Sequence, residues 1–208
     1  MSVRIILADD HAMLREGLRL VLERAEIKII GEAENGVELV AMARSLRPQV
    51  VVTDLSMPLM NGIEAASTIR RELGIPGILL TMHADAQYVV RAMSTGLMGY
   101  VLKSKASACL VEAVREVSGG NVYLSPGVSN TVVRGMLTKT DTEEPLTARE
   151  RQVLQLIAEG YTTKEIAHFM AITVRTGESH RASIMDKLNI HNTAGLVRYA
   201  LKQGLAQL

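Results

Sequence analysis

The stretch VRIILADD at residues 3–10 sets a short aliphatic run directly before two adjacent carboxylates. A run this uniformly apolar suits a strand covered on both faces rather than one with a wet side. The next segment, residues 12–24, places Leu14, Leu18, Val21 and Leu22 on one face of a helix. The same alternation continues along the first half of the chain. Residues 27–33, 50–53 (VVVT), 77–81 (GILLT) and 99–102 (GYVL) read as strands, and residues 37–45, 62–73, 86–93 and 106–117 as helices. Five strand–helix units in succession predict an α/β domain over residues 1–120: a five-stranded parallel sheet with helices on both faces. Ligands in such folds bind beyond the carboxyl ends of the strands, near the switch in strand order.

The chain has 208 residues, 48% of them hydrophobic and 22% charged. This is enough apolar matter for real cores, excludes a disordered chain, and fits two small domains. The balance of 23 Lys+Arg against 22 Asp+Glu carries no signal as a total. Split, residues 1–120 hold 13 basic and 14 acidic side chains and residues 146–208 hold 8 and 5, so the second part is mildly basic. That is too weak to argue for nucleic acid on charge alone. The longest uncharged stretch, residues 117–133, is broken by Gly119-Gly120, Pro126 and several serines and asparagines, which excludes a membrane span. Arg4, Asp9 and Asp10 interrupt any leader-like apolar core, and Cys109 is a single cysteine without a disulfide partner. The expectation is a soluble cytoplasmic protein with a reduced thiol and no membrane partner.

Beyond Gly120 the pattern becomes irregular. Residues 128–137 allow a connecting helix that leads into a linker at about 137–145, where TKTDTEEP (138–145) is polar and charged, so 121–145 reads as connecting helix and linker. From 146 to 208 every signal is helical. Thr147-Ala-Arg-Glu150 and Thr162-Thr-Lys-Glu165 are capping boxes, Thr173 can cap a helix running to Leu188, and a last helix is expected at about 192–204. Helix, helix, short turn, helix and helix in some 60 residues is the pattern of a small all-α helix-turn-helix domain.

In a parallel sheet, Asp9 and Asp10 after the first strand, Asp54 after the third, Thr81 at the end of the fourth and Lys103 after the fifth all project from one edge. Carboxylates so gathered repel one another unless a cation compensates, and an all-oxygen set suits Mg²⁺ better than zinc. With Mg²⁺ and Lys103 neutralising charge, one carboxylate can attack phosphorus while the Thr81 hydroxyl donates to a phosphoryl oxygen. The competing reading is that these aspartates merely cap helices. The motifs ADD at 8–10, DLSMPLMNG at 54–62, LLT at 79–81 and GYVLK at 99–103 resemble the flavodoxin-like receiver domain of bacterial two-component response regulators. The resemblance implies that Asp54 is the phosphoacceptor, phosphorylated by a cognate histidine kinase. It further implies that Asp10, Asp54 and the carbonyl of Ser56 hold Mg²⁺ with Asp9 acting through water, and that Thr81 and Tyr100 form a switch pair. Ser104 stands where many receivers carry a proline.

Residues 146–203, with LTARERQVLQLIAEGYTTKEIA and HRASIMDKLNIHN, resemble the NarL/LuxR-type DNA-binding domain. The resemblance implies that 174–188 is the recognition helix, reading the major groove of double-stranded DNA. Glu178, Ser179 and Ala182 would sit at base-reading positions, and Thr163, Lys164, Arg175, Arg181 and Lys187 at the phosphate backbone. Gly177 departs from the family's usual valine, which predicts a lost core side chain. A homodimer, formed on phosphorylation or on DNA, is expected through Leu196, Val197, Ala200 and Leu201 of the last helix. His11, His83, His168, His180 and His191 show no metal-ligand spacing. The whole then reads as a transcription factor, not an enzyme. The alternatives are a Mg²⁺-dependent aspartyl-phosphate phosphotransferase, or a phospho-receiver whose helical part binds protein.

Overall fold

A computed structural model describes residues 2–82, 89, 92–93, 95–128 and 146–206. Its first part runs β1 (Arg4–Ala8), α1 (Ala12–Arg24), β2 (Lys28–Ala33), α2 (Gly36–Leu46), β3 (Val50–Asp54), α3 (Gly62–Leu73), β4 (Gly77–Thr81) and β5 (Gly99–Leu102). A 3₁₀ turn at Lys103–Lys105, α4 (Ala106–Ser118) and β6 (Tyr123–Leu124) follow. The strands form one sheet in the order β2-β1-β3-β4-β5-β6, with every neighbouring pair parallel. The order reverses between β1 and β3, so the Asp9 and Asp54 strand ends flank the crevice that such sheets use for ligands.

Side-chain alternation along the strands divides the core into two layers. Ile5, Leu7, Val50 and Val52 meet Leu18 and Leu22 of α1 and Leu110, Ala113 and Val114 of α4. Ile6, Ala8 and Val51 meet Leu39, Val40 and Ala43 of α2 and Ala65 and Ile69 of α3. β3 and β4 are buried along their whole length, as the uninterrupted VVVT and GILLT runs predict. Each fully buried Leu or Ile contributes about 1.5–3 kcal/mol, which anchors the strand ends on which the polar site stands.

The sheet has six strands where the sequence predicts five. Within the stretch read as connector, Tyr123 and Leu124 pair with Gly99 and Tyr100, and a turn follows. Ser125 continues the pairing, its amide donating to the Tyr100 carbonyl at 2.9 Å and its hydroxyl accepting from the Leu102 amide at 3.2 Å. A two-residue strand is too short to show a period of two; the exposed edge of β5 organises it. Of the helix expected at 86–93, Val89, Ala92 and Met93 are described and helical. The rest of that helix, His83, the 129–137 helix and the 137–145 linker lie outside the described residues.

The second part is helical throughout: α5 (Ala148–Ala158), α6 (Thr163–Phe169), α7 (Val174–Leu188) and α8 (Thr193–Lys202). Both capping boxes form, with Thr147 and Thr162 accepting from the amides of Glu150 and Glu165 and receiving those carboxylates in return. Thr173 caps α7 and Asn192 caps α8. Val153, Leu154, Ile157, Ile166, Ile184 and Leu196 form its core. Among the described residues no helix is long and apolar enough to cross a membrane, and Cys109 is a buried free thiol.

Gly62 at the start of α3 is required by close approach. A Cβ there would lie 1.9 Å from the Asp54 carbonyl oxygen and 2.8 Å from Thr53 Oγ1. Gly62→Ala must push the loop off the end of β3, and urea unfolding should show a loss of about 1–3 kcal/mol.

Candidate functional site

Asp9, Asp54 and Lys103 meet at the carboxyl edge of the sheet. The Lys103 ammonium stands 2.8 Å from Asp54 Oδ2 and 3.0 Å from Asp9 Oδ2. Asp9 is fully buried and Asp54 is 2% exposed. Neither of those Oδ2 oxygens receives a well-directed hydrogen bond. Burial raises the Asp54 carboxyl to about 6; Lys103 opposes the rise, and Asp9 and Asp10 add to it. Burial alone would lower the Lys103 ammonium, but Asp54 and Asp9 outweigh it and hold it above its ordinary value. Lys103 reaches both acids, so serine in place of proline after it leaves the lysine's contacts intact.

The aspartates are not helix caps. The N-cap of α1 is His11, without a side-chain cap bond, and that of α3 is Asn61. Asp9 Oδ1 instead accepts from the His11 amide at 2.9 Å, and the His11 ring lies 2.7 Å from Asp10. One ligand atom from each of Asp9, Asp10, His11 and Asp54 can be chosen so that all lie within 4.8 Å of one another. Three carboxylates, two of them with under-coordinated buried oxygens, fit a small hard divalent cation. His11 was not singled out from the sequence as part of this group, because a lone histidine after an acid pair has no ligand spacing of its own.

Ser56 is buried in the same loop, Thr81 is 1% exposed at the end of β4, and Tyr100 is fully buried on β5. The Tyr100 ring lies among Leu55, Ile63, Leu79 and Val128, so the residues around β6 help to enclose it. Arg15, also unflagged by the sequence, braces the site. Its guanidinium donates to the Asp9 carbonyl at 2.6 Å and to Glu32 and Glu34 at 3.0 and 2.9 Å.

In the helical part, Lys164, Arg175, Glu178, Ser179 and Ala182 are exposed on α6 and α7. Arg181 is tied to Thr193 Oγ1, and Thr163 is half-buried beside Gly177. Lys187 is not a free cation: its ammonium contacts Glu150 at 2.8 Å. Glu150, 5% exposed, also takes the Ser183 hydroxyl at 2.7 Å and both donors of Thr147. Burial alone would raise the Glu150 carboxyl, but Lys187, Thr147 and Ser183 outweigh it and bring it to about 2. The vacancy expected at Gly177 is also absent. The glycine is buried, and a Cβ on it would lie 3.2 Å from Thr163 Cγ2, so α6 has closed onto the space that a larger side chain would need.

Two family models match the chain: the response regulator receiver domain over residues 5–115, and the luxR family of bacterial regulatory proteins over residues 144–200. The chain belongs to the LuxR-type response regulators. It is 37% identical to the transcriptional regulatory protein MctR of Rhizobium johnstonii, over 98% of this chain and 95% of that one. It is 34% identical to the response regulator protein VraR of Staphylococcus aureus over the full length of both. Among solved structures, RcsB of Salmonella typhimurium superposes with a TM-score of 0.68 at 29% identity, covering 97% of this chain and 98% of that one. An RcsB–DNA complex is similar at the same identity and coverage, with a TM-score of 0.61. A LuxR-type response regulator is a DNA-binding transcription regulator, which the helix-turn-helix half of this chain embodies.

In this regulator the two halves touch through a polar seam that the sequence did not announce. Gln155 of α5, fully buried, accepts from the Asn61 amide at 3.0 Å and donates to the Met57 carbonyl at 2.7 Å. Glu159 accepts from the Leu59 amide at 3.1 Å, and burial pushes its carboxyl up against the pull of that amide and of Gln155. Arg151 pairs with Glu64 at 2.7 Å. Leu59, held at φ 66°, inserts against the helical core. Gln155 lies off the Val153, Leu154, Ile157 and Ala158 stripe, where a glutamine reads as an ordinary exposed residue, so the sequence offered no sign of this contact. The loop that contacts α5 is also the loop that leaves Asp54.

The last helix corrects the expected dimer face. Leu196 and Ala200 are fully buried in the domain's own core against α5, while Val197 and Leu201 are partly exposed and Ala194 and Arg198 exposed.

Glu150 ties α5 to α7 only while ionised. Its folded pKa lies below the ordinary 4.5, so its stabilisation is complete above about pH 4.5 and is lost as pH falls toward 2. Glu150→Gln should cost about 1–3 kcal/mol near neutrality and flatten the acid limb of a pH–stability curve followed by circular dichroism. At Gly177, valine should be worse than alanine. Gly177→Ala meets a 3.2 Å contact that Thr163 can relieve, whereas Gly177→Val must separate α6 from α7 and lower the melting temperature.

Proposed function

We propose that this transcription regulator is controlled by phosphorylation of Asp54 by a histidine kinase, with residues 1–120 as receiver, 121–145 as connector and 146–208 as DNA-binding unit. The observation that supports it is the Lys103 ammonium held 2.8 Å from a buried, raised-pKa Asp54 beside Asp9. Asp54 attacks the phosphorus of a phosphohistidine, the P–N bond breaks, the imidazole leaves, and an aspartyl phosphate forms. Lys103 offsets charge on the phosphoryl oxygens, and Thr81 donates to one of them. Asp9, Asp10, Asp54 and the Ser56 carbonyl would hold Mg²⁺, which supplies further neutralisation of the phosphoryl group. Thr81 and Tyr100 carry the change outward, and a phosphate-dependent preference of a few kcal/mol between two states shifts their populations.

On DNA, Glu178, Ser179 and Ala182 face the bases. Lys164 and Arg175 contact phosphates, while Thr163, Arg181 and Lys187 act mainly by fixing α6 and α7, given the partners they already hold. Symmetric dimers place two such helices about one turn of DNA apart, so operators are imperfect inverted repeats. The dimer face is the outer side of α8 with Ala194, Val197, Arg198 and Leu201. The protein works in the cytoplasm, where kinase output and DNA meet.

Genomic-fragment binding with and without beryllium fluoride and Mg²⁺ tests the switch. The mimic should raise affinity for a small set of fragments about tenfold, within the usual range of coupling energies, and Asp54→Asn should abolish the gain. Equal affinity of unmodified wild type and mimic-loaded protein would end the phospho-switch reading. Binding should fall steeply with salt, and Val197→Glu should weaken dimers on DNA without unfolding the domain, whereas Leu196→Glu should unfold it.

A further inference from the structure

Gly177 and Ile184 are the buried residues of α7 and mark the side that packs against its own domain. Arg175, Glu178, Ser179 and Ala182, at helical spacings of three and four, are exposed and mark the opposite stripe. Glu178 is out of place there. It is an acid in the middle of a face that meets a polyanion, and among the described residues its carboxylate holds no ion pair and no hydrogen bond. We infer that Glu178 sets base choice, its carboxylate accepting a hydrogen bond from the N4 amine of a cytosine in the major groove. This inference rests on α7 being the DNA-reading helix, and it names the base pair that the helix selects.

The donors available in the groove decide the base. A carboxylate can only accept, and the major groove offers it cytosine N4–H and adenine N6–H; guanine presents N7 and O6, and thymine O4, all acceptors. Against an acceptor edge the Glu178 charge would lose water and gain nothing, in a place that the phosphates already make negative. Guanine and thymine are therefore rejected. Adenine differs from cytosine in the atom beside the donor: its N6 stands next to the N7 acceptor, a pair that suits an amide and sets one carboxylate oxygen against a lone pair. Cytosine carries no acceptor beside N4 on its groove edge, so it is the base that a carboxylate fits.

The neighbours of Glu178 leave this role to it. Ser179 and Ala182 are short, so a base edge can come close to the carboxylate. Of the arginines and lysines of α7, Lys187 is spent on Glu150 and Arg181 is tied to Thr193, which leaves Arg175 as the basic side chain on the same stripe. One arginine against one glutamate gives that stripe no net charge, so it adds little to affinity for DNA at large. Its contribution is discrimination: Glu178 weakens binding to every sequence that fails to supply the amine.

The test presents the full chain, with and without beryllium fluoride and Mg²⁺, with a pool of duplexes carrying a randomised segment and sequences those retained. Wild type should fix a C·G pair at one position of each half-site. Glu178→Gln, whose amide matches the N6–N7 pair of adenine, should turn that position to A·T, and Glu178→Ala should leave it degenerate. Both variants should keep the preferences at every other position, which shows that α7 is still folded. On the selected duplex, N4-methylcytosine at that position still pairs with guanine but carries a methyl where the groove-side N–H was. It should weaken wild type about tenfold and leave Glu178→Ala unaffected. Variants that tighten binding to all duplexes alike and shift no position would overturn the inference and make Glu178 a solvated acid. A pair other than C·G, fixed by wild type at the position that Glu178→Ala releases, would overturn cytosine as the base. If wild type enriches no duplex in either state, DNA reading by α7 fails, and the inference fails with it.

Discussion

The Lys103 ammonium between two buried carboxylates is the interaction on which the rest of this structure turns. Asp9 and Asp54 have almost no access to water, and their charges are tolerable only because a cation stands about 3 Å from each. To bring that cation there, β5 must lie two strands from β3, and the turn after β5 must aim Lys103 back across the end of β4. The sheet order, the two apolar layers and the close packing at Gly62 all serve that convergence. The arrangement is left short of positive charge, with three carboxylates against one lysine, a deficit that suits a divalent cation.

The helical half rests on a comparable device with the signs reversed in purpose. Glu150 begins as a capping-box residue, a purely local role, and then reaches across to Ser183 and Lys187 of α7. One carboxylate thereby fixes the start of α5 and the orientation of α7. Gly177 completes the arrangement by letting Thr163 sit against α7. α7 is thus positioned by one buried charge and one missing side chain, and Arg175, Glu178, Ser179 and Ala182 on it stay exposed.

The halves meet at the loop between β3 and α3. Its first residues carry the candidate phosphoacceptor and metal carbonyl, and its later ones, Leu59 and Asn61, bond to α5. The loop that leaves Asp54 is thus the segment that touches the DNA-binding half.

Much of this was legible in the sequence, for identifiable reasons. α1, α3, α7, β4 and β5 match their expected bounds, because apolar periodicity, Asn or Thr caps and glycine stops are local signals. The convergence of Asp9, Asp10, Asp54, Thr81 and Lys103 followed from a single topological premise, a parallel sheet with strand ends on one edge. What tertiary structure alone decided lies where a residue's partner is distant in the chain. β6 exists because β5 offers an edge, and Leu196 is core rather than interface because α5 lies against it. Gly177 is filled rather than hollow because Thr163 moves in, and Lys187 is spoken for because Glu150 is near. Gln155 joins two domains because Met57 and Asn61, 98 and 94 residues away, present a carbonyl and an amide to it. Local propensity and period specify elements and their buried faces; which polar groups find each other across those faces is settled by packing, where the energy of a contact does not depend on how far apart its residues lie in sequence.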